Sequence, residues 1–193
     1  MAVIIILVVL GLLAFDLYQR LYKPGLITQH WPELARHTGL MYKPALGSWS
    51  NRRSPQVTGK YRGYDIKLDL ARIIPGPVDD GIAAYRTRLV LTPHGRINGA
   101  VLVEARGWFS GKGLALGHDA FDQHFRLESR PEALASRLFD ASHLRQRFLE
   151  VRPRKFSLSD LGLRLEFKAG TRDAAGLRVL LNLACDLADT VKN

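Results

Sequence analysis

The stretch YDIKLDL, residues 64–70, alternates apolar and charged side chains and predicts a β-strand. Successive side chains of a strand point to opposite faces, so each face would have a uniform chemistry. The apolar face would carry Tyr64, Ile66, Leu68 and Leu70, and the charged face Asp65, Lys67 and Asp69. Residues 56–61 precede this strand, and the dipeptide Arg62-Gly63 lies between them. The two segments therefore predict an antiparallel hairpin.

Further strands and helices are predicted on both sides of this hairpin. We expect antiparallel pairs between residues 82–92 and 97–106 and between 156–158 and 163–167, and helices over 28–37, 131–139, 142–151 and from about 172 onward. Hairpin-linked strands with helices grouped before and after them indicate an α+β domain built on an antiparallel sheet.

The last helix is expected to cover one face of that sheet, because its apolar residues form a single stripe. The opposite face would then expose a basic surface. Its predicted members are Lys60, Arg62, Arg86, Arg88, Arg164 and Lys168.

The first fifteen residues, MAVIIILVVLGLLAF, carry no charge and predict an apolar helix. This run covers only about 22 Å, so a helix that crosses a hydrocarbon core of roughly 30 Å must continue to Tyr22. We therefore expect a transmembrane anchor over residues 1–23 and an α+β domain over 24–193. The anchor residues would be Ile4, Ile5, Ile6, Leu7, Leu10, Leu12, Phe15, Tyr18 and Tyr22. A cleaved signal peptide and a buried core helix are the alternatives.

The charges that follow this segment predict its orientation. No Lys or Arg precedes the apolar run, whereas Arg20 and Lys23 follow it directly. The positive-inside bias then predicts a single-pass protein of the inner (cytoplasmic) membrane, with its N-terminus outside and its domain in the cytoplasm. The single cysteine, Cys185, excludes an intramolecular disulfide and fits a reducing compartment.

The formal net charge of +10 and the pI near 10.1 predict an anionic partner. Membrane lipid or an acidic protein surface fits a domain that is held at a membrane. Nucleic acid is less favoured, because Tyr64 and Tyr85 alternate with the charged strand residues and would face the other side. Integral-membrane proteins are the expected partners of the N-terminal helix.

His118, Asp122 and His124 could supply two imidazoles and a carboxylate, the donor set of a divalent-metal or hydrolytic site. Their spacing matches no zinc signature. The alternative is a local structural role, in which the aspartates cap a turn while Phe121 and Phe125 enter the core. We predict neither a catalytic residue nor a cofactor.

The same segment resembles a G-x-D-x-F-D-x-x-F motif found in uncharacterised bacterial membrane-anchored domains of unknown function. The matching residues are Gly117, Asp119, Phe121, Asp122 and Phe125. In those domains a helix and a late hairpin follow the motif, so the resemblance implies the same order here. It implies no activity.

These observations together predict a non-enzymatic, membrane-anchored accessory or scaffold subunit of a larger membrane protein complex, for example of the photosynthetic or respiratory type. Two alternatives remain open: a metal-binding or hydrolytic domain at His118, Asp122 and His124, and a module that binds anionic lipid or nucleic acid.

Overall fold

The computed structural model describes residues 2–21, 27–45, 54–73, 84–92, 97–107, 111, 113–169 and 172–192. Eight strands form one antiparallel sheet in the order β1-β2-β3-β4-β8-β7-β5-β6. Their bounds are β1 Met41–Lys43, β2 Gln56–Tyr61, β3 Tyr64–Ile73, β4 Ala84–Thr92, β5 Ala100–Ala105, β6 Phe125–Arg130, β7 Lys155–Ser159 and β8 Gly162–Lys168. The predicted antiparallel sheet is therefore present.

The described part of the chain also contains six α-helices. They are α1 Ala2–Leu21, α2 Trp31–Thr38, α3 Asp119–His124, α4 Glu132–Phe139, α5 Ser142–Val151 and α6 Ala174–Lys192. Helix α6 contacts α2, α4, α5 and strands β4 and β8, so it forms the centre of a helical layer on one side of the sheet.

The core lies between this helical layer and the sheet. Leu68, Leu89 and Leu165 occupy neighbouring register positions on β3, β4 and β8, and each is at most 2% exposed. Leu187 and Cys185 of α6 are fully buried. The predicted packing of one sheet face on the C-terminal helix is confirmed. We call the opposite side of the sheet, which points away from α6, the open face.

Five aromatic rings fill the end of the core between α3, α4, α5 and β7. Phe148 is fully buried at their centre, with ring centroids of the four others at 5.1–5.8 Å. Those four are Phe121, Phe125, Phe139 and Phe156. Edge-to-face and tilted arrangements of this kind stabilise a core beyond the area that they bury.

The two hairpins β2–β3 and β7–β8 were predicted correctly, but the predicted pairing of residues 82–92 with 97–106 is wrong. Strand β4 pairs with β3 and β8, and β5 pairs with β6 and β7. The β7–β8 hairpin lies between β4 and β5 in the sheet. Periodicity predicts which side chains share a face, but it does not identify the neighbouring strand.

Helix α1 is formed, but the described residues include no helix that is both long and apolar enough to cross a membrane. The run Ala2–Phe15 covers about 21 Å, short of a hydrocarbon core of roughly 30 Å, and Asp16 and Arg20 follow within the same helix. This finding contradicts the predicted transmembrane anchor, the single-pass topology and the inner-membrane localisation.

Candidate interaction surfaces

The motif segment turns the chain into the aromatic cluster. Gly117 has a φ of +75°, and α3 begins two residues later. The Asp122 carboxylate accepts hydrogen bonds from the backbone N–H groups of Leu116 (3.1 Å) and His118 (3.0 Å). Phe121 and Phe125 are 1% and 3% exposed. These contacts give Asp122 and the two phenylalanines a structural role in closing the turn and filling the core, while Asp119 lies exposed in the first turn of α3.

The three candidate metal ligands do not form a metal site. Across the part of the chain that the structure describes, no group of three or more His, Cys, Asp and Glu side chains is placed to hold an ion. Both carboxylate oxygens of Asp122 bind backbone N–H groups. The His124 ring Nδ1 lies 2.8 Å from the Ala120 carbonyl oxygen, and His118 is exposed.

A cleft of about 410 Å³ lies beside the motif. One wall is the segment from Leu114 to His118, and the other is α4 with the first turns of α5. Arg145 lies at this cleft and donates to the backbone oxygens of Phe139 and Asp140, at the C-terminal end of α4. The Arg145 guanidinium is therefore engaged with the helix end, where cations are favoured.

The open face carries a row of charged residues that runs across six neighbouring strands. In register order these residues are Asp69, Arg88, Glu166, Lys155, Glu104 and Arg126. Their charges alternate in sign from strand to strand. Opposite charges in directly facing positions stabilise a sheet, so this row is internally compensated.

Two nearly buried carboxylates of this row, Asp69 and Glu166, bind arginines of β4 and β8. Arg88 donates to both oxygens of Asp69, at 2.7 and 2.6 Å, and the Asp69 side chain is only 4% exposed. The hydrogen bond to Asp69 raises the pKa of the Arg88 guanidinium. Glu166, whose side chain is 8% exposed, accepts from Arg86 at 3.3 Å and from Arg164. Arg86, Arg88 and Arg164 are therefore bound to acidic partners and are not free cations.

Arg62 is the one predicted basic-surface residue that lies off the open face. It occupies the β2–β3 turn with a φ of +50°, followed by Gly63 at +84°, as in a type I′ hairpin turn. Its guanidinium binds two carboxylates of α6, Asp186 at 2.7 Å and Asp189 at 3.0 Å. The hydrogen bond to Asp186 raises the pKa of Arg62. Arg62 thus joins the hairpin tip to the last helix.

Two titratable groups beneath this tip are withdrawn from solvent. Burial, followed by the hydrogen bond to Asp189, raises the pKa of Tyr64 far above its ordinary value. Burial raises the pKa of the Cys185 thiol to about 11. At neutral pH Cys185 is therefore a protonated core thiol, and its environment is that of an unreactive structural cysteine.

Glu104 and Glu166 and the exposed Lys43 and Arg130 of the open face were not predicted from the sequence. Glu104 and Glu166 have no signature of their own, and only the strand register places them, like the predicted Asp69, opposite arginine or lysine. The alternation in β1 and β6 could have identified Lys43 and Arg130.

Helix α1 exposes apolar side chains around its whole circumference. Residues 4–10 are consecutive and cover every direction around a helix of 3.6 residues per turn. Each of their side chains is 49–67% exposed. The predicted anchor residues Ile4, Ile5, Ile6, Leu7, Leu10 and Leu12 are all among the exposed ones. Tyr22 and the side chains of Phe15 and Tyr18 lie outside the described residues.

Comparison with solved structures finds the same fold in a mycobacterial protein, the trehalose monomycolate transport factor A, TtfA. The TM-score is 0.53 with 13% sequence identity, over 87% of this chain and 95% of that one. At this identity the similarity shows the fold alone. No protein-family model matches the chain, and no curated protein matches it.

Proposed function

We propose that the protein is a non-enzymatic accessory subunit of a membrane-associated assembly, and that the apolar helix α1 attaches it to an integral-membrane partner. The observation that carries the proposal is the exposure of residues 4–10 on all sides of α1. A helix that is apolar all round is stable when other apolar groups enclose it. A protein with the same fold is a transport factor, so an assembly that acts in transport is one candidate host.

The energetics of α1 favour enclosure over one-sided contact. Burying one Val, Leu or Ile side chain contributes about 1.5–3 kcal/mol. A groove that contacts one side of the helix would leave half of residues 4–10 in water. Enclosure by several partner helices would bury them all and offset the costs of association, which are of similar size to a few such side chains.

Paired substitutions on opposite sides of α1 test this proposal. Ile5 and Leu12 lie on one side of the helix, and Leu7 and Leu10 lie on the other. We would compare I5N/L12N and L7N/L10N with the unaltered full chain, after purification in mild detergent from the native membrane fraction. Both variants should lose the co-purifying integral-membrane partner.

The control replaces apolar residues that are exposed elsewhere in the domain. Leu161 is 85% and Val179 is 42% exposed, so L161N/V179N makes a chemically matched change away from α1. This variant should retain the partner. Recovery of the unaltered chain without any stoichiometric partner would overturn the proposal. Loss in only one of the two α1 variants would overturn enclosure.

A further inference from the structure

The open face carries half of the net charge of the chain. Strand register places on it ten basic residues, Lys43, Lys60, Lys67, Arg86, Arg88, Arg126, Arg130, Lys155, Arg164 and Lys168, and five acidic ones, Asp65, Asp69, Glu104, Glu128 and Glu166. The face therefore has an excess of five positive charges, against +10 for the whole sequence. Its ion-paired basic residues keep 30–47% of their side-chain surface exposed.

Six basic residues of the open face share four carboxylates in ion pairs, so the larger part of the excess, three of the five charges, lies outside these pairs. The central row is paired, as described above, whereas Lys43, Lys60 and Arg130 are exposed and form no ion pair with any described residue. Lys43 lies on β1 and Arg130 on β6, the two edge strands of the sheet. Adjacent strands are about 4.8 Å apart, so these two cations are separated by about 34 Å across the face.

The chemistry of the face favours a lipid surface over single-stranded nucleic acid. Bases stack on exposed aromatic side chains in proteins that bind single strands. Every aromatic residue of the eight strands occupies a register position on the core side, including Tyr42, Tyr61, Tyr64 and Tyr85. The open face thus offers cations on a broad sheet without a stacking platform.

We propose that the open face binds an anionic lipid leaflet, with Lys43, Lys60 and Arg130 as its main cationic contacts. A leaflet is broad and laterally adjustable, so its headgroups can meet cations that are tens of ångströms apart. Each ion-paired basic residue contributes less than a rim cation, because it already has a carboxylate partner. This inference is independent of the partner of α1.

The test measures the preference of the full chain for anionic over neutral vesicles. Vesicles of phosphatidylcholine alone and of phosphatidylcholine mixed with phosphatidylserine are compared by co-sedimentation. Contributions of α1 to apolar lipid contact enter both measurements and cancel in their ratio. The unaltered chain should prefer anionic vesicles, and the preference should fall with added salt, because the rim charges are exposed.

The decisive variant is K43E/K60E/R130E, and the matched control is R36E/R137E/R178E. The control residues are exposed on α2, α4 and α6 and undergo the same total change of charge. The rim variant should lose the preference by about a hundredfold or more, because each basic contact near an anionic leaflet favours binding about fivefold. The control should retain most of it.

Three outcomes would overturn this proposal. Equal losses in the two variants would mean that the total charge of the protein attracts lipid. No anionic preference in the unaltered chain would exclude a leaflet as the ligand. Binding of the unaltered chain to an acidic protein or to single-stranded nucleic acid, without binding to anionic vesicles, would assign the face to that other partner. Unchanged thermal unfolding would establish that the variants are folded.

Discussion

The two faces of the sheet are built from the same strands but are stabilised in different ways. On the core face, Leu68, Leu89 and Leu165 are buried under α6. Any apolar neighbour of suitable size can pack against them. On the open face, Asp69 needs Arg88 in the facing position. The core face therefore tolerates variation in detail, whereas the open face depends on the exact register.

The largest effect is expected from Phe148→Ala, which empties the centre of the aromatic cluster on the core side. Phe148 is fully buried and packs on four rings, so its truncation leaves a cavity that its neighbours cannot close. The free energy of unfolding should fall by about 3–5 kcal/mol, as measured by urea denaturation. The exposed Leu161→Ala is the control and should change it by less than about 0.5 kcal/mol. A loss below about 1 kcal/mol at Phe148 would mean that the cluster is loosely packed.

A smaller effect is expected on the open face from Arg88→Met. This change leaves the nearly buried Asp69 with only Lys67, at 3.3 Å, as an ion-pair partner, and should cost about 2 kcal/mol. The double variant D69L/R88M removes both charges and should recover most of that loss, since apolar side chains can replace an ion pair on a sheet. A double variant that is less stable than R88M in urea denaturation would contradict this account.

The smallest effect concerns Cys185 on the core side and requires alkaline pH. Its folded pKa of about 11 lies above the ordinary value of 9.0, so its contribution to stability is complete below pH 9 and is lost as pH rises through 11. Between pH 8 and 10 the unaltered chain should lose about 1.4 kcal/mol that Cys185→Ala does not lose. Parallel pH dependences in thermal or urea unfolding would contradict the buried position of the thiol.

Local patterns predicted most of the elements. Alternation at residues 64–70 identified β3, and the apolar stripe after Arg172 identified α6. The burial of Phe121 and Phe125 was also predicted, by the hypothesis that the motif segment has a local structural role. The strand and the helix follow from the spacing of apolar residues close in sequence, which a periodic pattern reveals. The burial of the two phenylalanines follows from the apolar character of their side chains.

Long-range partners could not be predicted in the same way. Arg62 and Arg88 were both interpreted as members of a basic surface, yet Arg62 binds α6 and Arg88 binds Asp69 on the neighbouring strand. Each contact depends on how distant elements are placed, which charge patterns along the sequence do not encode. The N-terminal segment was predicted to span a membrane from its apolar run, its extension to Tyr22 and its flanking charges, but none of the described helices is long and apolar enough to do so.

The position of the β7–β8 hairpin has a consequence for how the protein is made. Strands β1–β4 and the pair β5–β6 are synthesised first, but neither group pairs with the other. Only residues 155–168, which come later, join β4 to β5. Until they are synthesised, the nascent chain has two sheet fragments with unpaired edges, the kind of species that favours aggregation and slow folding. The β7–β8 hairpin therefore joins the two fragments into one sheet. A ribosome-bound chain that ends before residue 155 should bind chaperones.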